Sequence, residues 1–202
     1  MRGTISAAGF PTGDRFVIGC WEQSPIGPLV DVMWGTPAGE RVLLAPSPDA
    51  VEFITSIYEF DDVRVVETLT GRSDGKHTWV TAPELDLELE LFGGRRRPVP
   101  ITRPLAVTRW IERPIARALM GVETFGTSHH GAVEWYQTRG WRWVESGHAF
   151  LSGHDLGTPG TVTPPLQVGF SEPPPRPSIV QVHVTIDLPA RLALASQGSA
   201  LL

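Results

Sequence analysis

The clearest pattern in the chain is a strict alternation of leucines and acidic residues over 84–91. Leucine occupies every second position, and glutamate or aspartate occupies the positions between them. Because successive side chains of a strand point to opposite faces, this pattern predicts a strand with one buried and one solvent-facing side. A second alternation, over 179–188, places Val, Ile and Leu on one face and polar residues on the other. It predicts a closing strand.

Shorter apolar runs, bounded by Gly, Pro and polar residues, predict the remaining strands. These runs cover residues 15–22, 29–34, 41–45, 63–69, 77–81, 131–138, 141–146 and 148–151. Between two of them, Arg139 and Gly140 are expected to form a bulge or a tight turn. Strands of this length and number favour an antiparallel sheet.

Two segments have the spacing of apolar residues that is typical of helices. Ser47 as N-cap and Pro48 at the first helical position predict a short amphipathic helix over 48–58. A second helical segment is predicted over 102–120. Pro114 interrupts it and is expected to kink it, or to divide it into two short helices.

Together these elements predict one domain over 1–202, of the α+β class. The expected architecture is a strongly curved antiparallel sheet or partly closed β-barrel, with the two helical segments packed on it. The proline-rich segment, residues 158–178, is expected to form a wrapping loop because proline disfavours helix interiors. Residues 189–202 are expected to be a weakly ordered tail.

The composition is that of a globular protein, with 41% hydrophobic and 19% charged residues. No apolar run approaches the roughly 18 residues of a membrane span, and the N-terminal residues lack the apolar segment of a secretory signal. The single cysteine, Cys20, excludes an internal disulfide. A cytoplasmic protein without a membrane partner is therefore expected.

Charge and lysine content restrict the possible functions further. The net charge is −5, and the basic residues are scattered apart from the triplet at 95–97, which argues against a nucleic-acid partner. Lys76 is the only lysine among seventeen basic residues, and it lies in a polar turn where its ammonium stays hydrated. Schiff-base chemistry needs a desolvated lysine, so it is not expected.

The segment 125–157 concentrates the residues suited to a ligand site, with four of the six histidines and three of the seven tryptophans. Imidazoles and large aromatic faces favour a pocket for a small, partly apolar organic molecule in the concave face of the sheet. The predicted walls are Trp135, Trp141 and Trp143, and the predicted polar contacts are His129, His130, Tyr136 and Arg142.

A second hypothesis makes the protein an enzyme, a lyase or hydrolase acting on a small carbonyl compound. Here His130 or His148 is the candidate general base, and Glu134 is a candidate acid–base partner. No Gly-x-Ser-x-Gly nucleophile motif occurs. Neither a metal site nor another cofactor is predicted, since adjacent histidines in a strand point to opposite faces and Cys20 is the sole thiol.

A third hypothesis concerns the proline-rich segment. It makes the protein an interaction module that docks a partner or a second copy of the chain, which would produce a homo-oligomer.

Short Gly- and Pro-containing motifs resemble those of an uncharacterised family of actinobacterial proteins. They are Ser24-Pro25-Ile26-Gly27-Pro28, the segment 126–136, the motif Gly153-His154-Asp155-Leu156-Gly157, and the segment 166–174. The order of elements is also distantly similar to the acetoacetate decarboxylase-like β-barrels. This resemblance implies a curved antiparallel sheet around a small apolar cavity. The paired lysines of the decarboxylase have no counterpart here, so the resemblance does not imply that activity.

Overall fold

The structure is a computed structural model that describes residues 1–98, 125–127, 133–169 and 172–187. In these ranges it contains thirteen strands, one α-helix (α1, Pro48–Thr55) and one 3₁₀ turn (Pro83–Leu85). The strands are β1 (Arg2–Gly9), β2 (Arg15–Gln23), β3 (Leu29–Gly35), β4 (Arg41–Ala45), β5 (Asp62–Val65), β6 (Thr70–Ser73), β7 (His77–Ala82), β8 (Leu87–Gly93), β9 (Arg97–Pro98), β10 (Phe125–Thr127), β11 (Val133–Leu151), β12 (His154–Asp155) and β13 (Ser178–Asp187).

Ten strands form one continuous sheet in the order β5-β4-β3-β2-β1-β13-β11-β8-β7-β6, and the short strands β9, β10 and β12 pair with β11. The pairings are antiparallel except that of β4 with β5. The sheet curls into a half-barrel, which brings β6 against β2 and β3. The predicted curved antiparallel sheet is thus confirmed. The predicted second helical segment, 102–120, and the tail, 189–202, lie outside the described residues.

The inner side of the curl is filled by one apolar cluster. Leu87, Leu89 and Leu91 of β8 are buried there against Phe16 and Ile18 of β2. The alternation over 84–91 thus marks the buried face correctly from residue 87 onwards.

The same segment starts differently from its prediction. Pro83 begins a 3₁₀ turn that includes Leu85, and Asp86 has a φ of 47°, so β8 begins only at Leu87. Proline has no N–H to donate to a sheet ladder, which favours a turn at this point. The prediction of a strand from residue 84 was wrong by three residues.

Two further differences concern β11 and β1. The three strands predicted over 131–138, 141–146 and 148–151 are one strand of 19 residues, and the predicted bulge at Arg139 is present as a shift in register.

β1 was not predicted, because its small residues show no alternation. Their size has a structural reason, since a Cβ on Gly3 would lie 2.2 Å from the carbonyl oxygen of Cys20.

The outer face of β1, β2 and β3 is covered by a second layer. The helix α1 packs on β3 and β4, where Ala50 and Ile54 are buried with Leu29 and Leu43. The proline-rich segment packs on β1 and β2 through Val162, Leu166 and Val168. The segment is also held by hydrogen bonds, because the buried Arg15 guanidinium donates to the carbonyl of Pro164 at 2.8 Å. Among the described residues, no helix is long and apolar enough to cross a membrane.

Candidate functional site

A pocket of about 120 Å³ lies between the outer face of the sheet and the layer formed by α1 and the proline-rich segment. Its floor is formed by five neighbouring strands, β3, β2, β1, β13 and β11. The lining residues are Met1, Ile5, Val17, Gly19, Trp21, Asp31, Met33, Phe53, Ile54, Ile57, Tyr58, Tyr136, Thr138, Leu166, Val168, Glu172, Pro173, Pro174, Val180, Val182, Val184 and Ile186.

The floor of the pocket follows from strand register. Asp31 pairs with Gly19, Gly19 pairs with Ile5, and Ile5 pairs with Val180, so these four residues form one row across β3, β2, β1 and β13. Residues that are directly paired across a sheet point to the same face. The row is apolar or small apart from Asp31, and the face opposite to it belongs to the core inside the curl.

Asp31 is the buried polar group of this floor, with only 3% of its surface exposed. The indole Nε1 of Trp21 donates a hydrogen bond of 2.8 Å to its Oδ1. Gly19 provides the space for this contact. A Cβ at this position would lie 2.4 Å from Oδ1 of Asp31 and 2.5 Å from Nε1 of Trp21. The glycine therefore lets the carboxyl and the indole meet above β2.

Burial raises the pKa of Asp31 from 3.8 to about 7, and the hydrogen bond from Trp21 opposes part of that rise. Removal from water disfavours the charged form of a carboxyl, and no cation compensates it here among the described residues. The pKa of the neighbouring Cys20 thiol is raised to about 12, first by burial and then by the charge of Asp31. Asp31 therefore changes its charge near neutral pH, whereas Cys20 stays protonated.

Glu172 is a second carboxyl that lines the pocket, but its oxygens already have partners. It accepts hydrogen bonds from the backbone N–H groups of Leu166 at 3.0 Å and Gln167 at 2.6 Å. Burial raises the pKa of Glu172, while these hydrogen bonds and the charge of Arg15 oppose the rise. The Glu172 carboxylate thus stabilises the folded conformation of the proline-rich segment.

Two tyrosines complete the polar part of the lining. The hydroxyls of Tyr58, just after α1, and Tyr136, on β11, share a hydrogen bond. The contact joins the covering layer to the sheet at one side of the pocket.

Of the ligand-binding residues predicted from the sequence, Tyr136 lines this pocket. Its neighbour Trp135 lies on the opposite face of β11, as strand alternation requires. The described lining of the pocket does not include Trp141 or Trp143. Their rings pack edge to face with centres 4.4 Å apart.

The outer surfaces of these two tryptophans are covered by arginines. The Arg97 guanidinium lies 5.0 Å from the centre of the Trp141 ring, and that of Arg176 lies 4.8 Å from the Trp143 ring. Such cation–π contacts stabilise partly exposed indoles.

Arg142, predicted as a polar contact to the ligand, holds two loops together. Its guanidinium donates to the carbonyl of Gly75 at 2.9 Å and to that of Gly94 at 2.5 Å. It lies on the face of β11 opposite to that of Trp141 and Trp143.

Of the predicted catalytic residues His130, His148 and Glu134, the described part of the chain includes the side chain of His148. His148 is on β11 opposite Glu90, with its ring edge-on to Phe150 at 6.0 Å, and it does not line the pocket. His129 and His130 lie outside the described residues, as does the side chain of Glu134. Within the described part of the chain, no group of three or more His, Cys, Asp or Glu residues is placed to hold a metal.

Asp31, Trp21 and Gly19 were not predicted from the sequence as residues of the site. One signal was present, since Asp31 is the charged residue inside the otherwise apolar run 29–34. A carboxyl is rarely buried unless it is paired or hydrogen-bonded, so this position marks Asp31 as a residue with a specific partner. Its contact with Trp21, ten residues away, depends on strand pairing.

Comparison with known protein families, curated proteins and solved structures gives no match for this chain. The resemblance to an actinobacterial family and to acetoacetate decarboxylase-like barrels therefore stays a prediction.

Proposed function

We propose that this protein binds a small, mostly apolar organic molecule in the pocket between the sheet and α1. The observation that carries the proposal is a partly open pocket, lined mainly by apolar side chains and containing one buried carboxyl. Ligand sites have this composition, with many apolar groups for affinity and a few polar groups for orientation. The proposal keeps the ligand class inferred from the sequence and moves the site to the outer face of the sheet.

The volume of the pocket limits the size of the group that enters it. An apolar cavity of about 150 Å³ accommodates a benzene molecule, and the pocket here has about 120 Å³. The pocket is the smaller of the two, so a single aromatic ring or a short branched chain is the largest group that it holds, and the rest of a longer ligand would extend through the open side. Transfer of such a group from water stabilises the complex by about 25 cal/mol per Å² of apolar surface removed.

The proposal is tested with benzyl alcohol, a neutral, soluble molecule with one ring. Isothermal titration calorimetry of the wild-type chain should show binding with a negative heat-capacity change, as burial of apolar surface requires. The fluorescence of Trp21, which lines the pocket, should change in the same concentration range.

A variant that fills the pocket locates the binding. Val180→Phe adds a ring at the floor and should abolish binding of benzyl alcohol. Val63→Phe is the matched control, because Val63 is exposed on the edge strand β5 and does not line the pocket. Thermal melts of both variants establish that they are folded. The proposal fails if the wild-type chain binds neither benzyl alcohol nor benzylamine, in which an amine replaces the hydroxyl. It also fails if the folded Val180→Phe variant binds benzyl alcohol as tightly as the wild type does.

A further inference from the structure

We infer that the natural ligand carries an amine, which pairs as an ammonium ion with the carboxylate of Asp31 while its apolar part occupies the pocket. This inference rests on the proposed function and adds the chemical class of the ligand.

The first argument is the unfilled hydrogen-bonding capacity of Asp31. Its side chain is almost completely buried, and Trp21 bonds to Oδ1 only. Among the described residues, no group donates to Oδ2. A carboxylate accepts several hydrogen bonds, so Oδ2 keeps the capacity to accept one from a donor in the pocket. A ligand in the pocket that Asp31 lines can supply the missing donor.

The second argument is the charge of the lining. No Lys, Arg or His side chain is among the described residues that line the pocket, whereas both Asp31 and Glu172 are. An anionic ligand would enter beside these two carboxyls. The charge of Arg15 acts on Glu172, but among the described residues no side-chain cation acts on Asp31. Aromatic faces, including that of Trp21, also line the pocket, and such faces attract cations. The lining therefore favours a positive group.

The terminal ammonium of Met1 is a positive charge near the pocket, but it lies far from Asp31. It donates to the carbonyl of Val184 at 2.6 Å. Asp31 lies in the same row of the sheet as Ile5. Met1 precedes Ile5 by four residues, which places it about 13 Å from that row at the rise of a strand. It does not neutralise Asp31.

A competing interpretation is that Asp31 stays protonated and donates its proton to a neutral acceptor, such as a carbonyl group of the ligand. The two interpretations predict opposite effects of pH. An ammonium needs the ionised carboxylate, so its binding strengthens as pH rises through the titration of Asp31. A neutral acceptor needs the protonated carboxyl, so its binding weakens over the same range.

Other titratable groups face Asp31 or the same pocket and have to be considered in the pH series. They are Glu172, the hydroxyls of Tyr58 and Tyr136, and the Met1 ammonium. The charge of Arg15 acts on Glu172. The Cys20 thiol lies on the core side of β2, and its pKa of about 12 keeps it protonated throughout the series. Glu172 is the carboxyl among them, and burial raises its pKa. A variant of Glu172 separates its effect from that of Asp31.

The test compares benzylamine with benzyl alcohol, which have the same ring and nearly the same size, by calorimetry at about pH 5 and about pH 8. Benzylamine carries its proton at both values. We expect benzylamine to bind at about pH 8 at least about tenfold more tightly than benzyl alcohol, because hydrogen bonds between charged groups are the stronger ones. The preference should shrink about tenfold at about pH 5.

Asp31→Asn should remove the preference for benzylamine and leave the affinity for benzyl alcohol within about twofold. Glu172→Gln, an acid-to-amide change in the same pocket, should reduce the preference less than Asp31→Asn does, because the Glu172 oxygens already accept hydrogen bonds from Leu166 and Gln167. Glu88→Gln, an acid-to-amide change at an exposed position of β8 outside the pocket lining, is the matched control and should keep the preference. The pH series on the wild-type chain provides the test independently, should Asp31→Asn fail to fold.

The outcomes separate the inference from the proposed function. If neither probe binds, the pocket is not a ligand site and both proposals fail. If benzyl alcohol binds as tightly as benzylamine, or if binding of both strengthens toward low pH, the pocket binds small molecules but the amine inference is overturned. Loss of the preference in Glu172→Gln and not in Asp31→Asn would also overturn it.

Discussion

The replacement Asp31→Asn should make the protein more stable at neutral and alkaline pH. In the unfolded chain this carboxyl ionises near 3.8, whereas burial in the folded chain raises its pKa to about 7. Between these values the folded state keeps a proton that the unfolded state has released. The free energy of unfolding of the wild type therefore falls as pH rises from about 4 to about 7.

The size of the effect follows from the shift in pKa. About three units at about 1.4 kcal/mol each correspond to a loss of about 4 kcal/mol across this range. Asparagine has nearly the same shape, keeps an oxygen that accepts the hydrogen bond from Trp21, and does not titrate. The variant should therefore match the wild type at about pH 4 and exceed it by up to about 4 kcal/mol at about pH 8.

Urea unfolding of both proteins at several pH values measures this difference. The other titrating groups, including Glu172, are present in both proteins, so their contributions cancel in the comparison. A difference between the two proteins that does not change with pH would refute the reasoning, because it would mean that Asp31 ionises in the folded state as it does in water.

Three further predictions concern other parts of the structure. A double-mutant cycle of Tyr58→Phe and Tyr136→Phe should give a coupling energy of about 1 kcal/mol in urea unfolding, and no coupling would contradict the hydrogen bond between the hydroxyls. Cys20 should react with a thiol-specific disulfide reagent at least about a thousandfold more slowly in the folded chain than in urea, because it is buried and its pKa is about 12. Rapid labelling of the folded chain would contradict the burial of this thiol. Arg142→Lys should lower the free energy of unfolding by about 1–3 kcal/mol, since lysine lacks the forked guanidinium that reaches the carbonyls of Gly75 and Gly94. The exposed control Arg95→Lys should change this free energy by less than about 0.5 kcal/mol. Equal effects of the two variants would contradict the role of Arg142 in holding the two loops together.

Several elements were predictable because their signals are local. The strand β4 was predicted with the bounds that the structure shows, and Ser47 caps α1 by accepting a hydrogen bond from the N–H of Ala50 at 3.2 Å. The first rests on an apolar run bounded by turn residues and the second on capping, and both signals act over a few neighbouring residues. The bulge at Arg139 belongs to the same class, because Gly140 interrupts the pattern there.

The candidate site was less accessible to such reasoning. The concentration of His and Trp over 125–157 pointed to β11, but composition does not reveal which part of a strand borders a void. Trp141 and Trp143 pack on each other under two arginines, whereas the pocket takes only Tyr136 and Thr138 from this strand. Which neighbours a side chain meets depends on the order of strands in the sheet.

The amino-acid pattern alone determined that this chain forms an antiparallel sheet with a leucine-rich buried face, because that information lies in the alternation of neighbouring residues. Only the tertiary structure decided that α1 and the proline-rich segment cover the outer face of the sheet and leave a pocket there. It also decided that Asp31 meets Trp21 above Gly19 and loses its water. The physical reason is that burial and pKa are set by groups brought together from distant parts of the chain, and no local pattern records them.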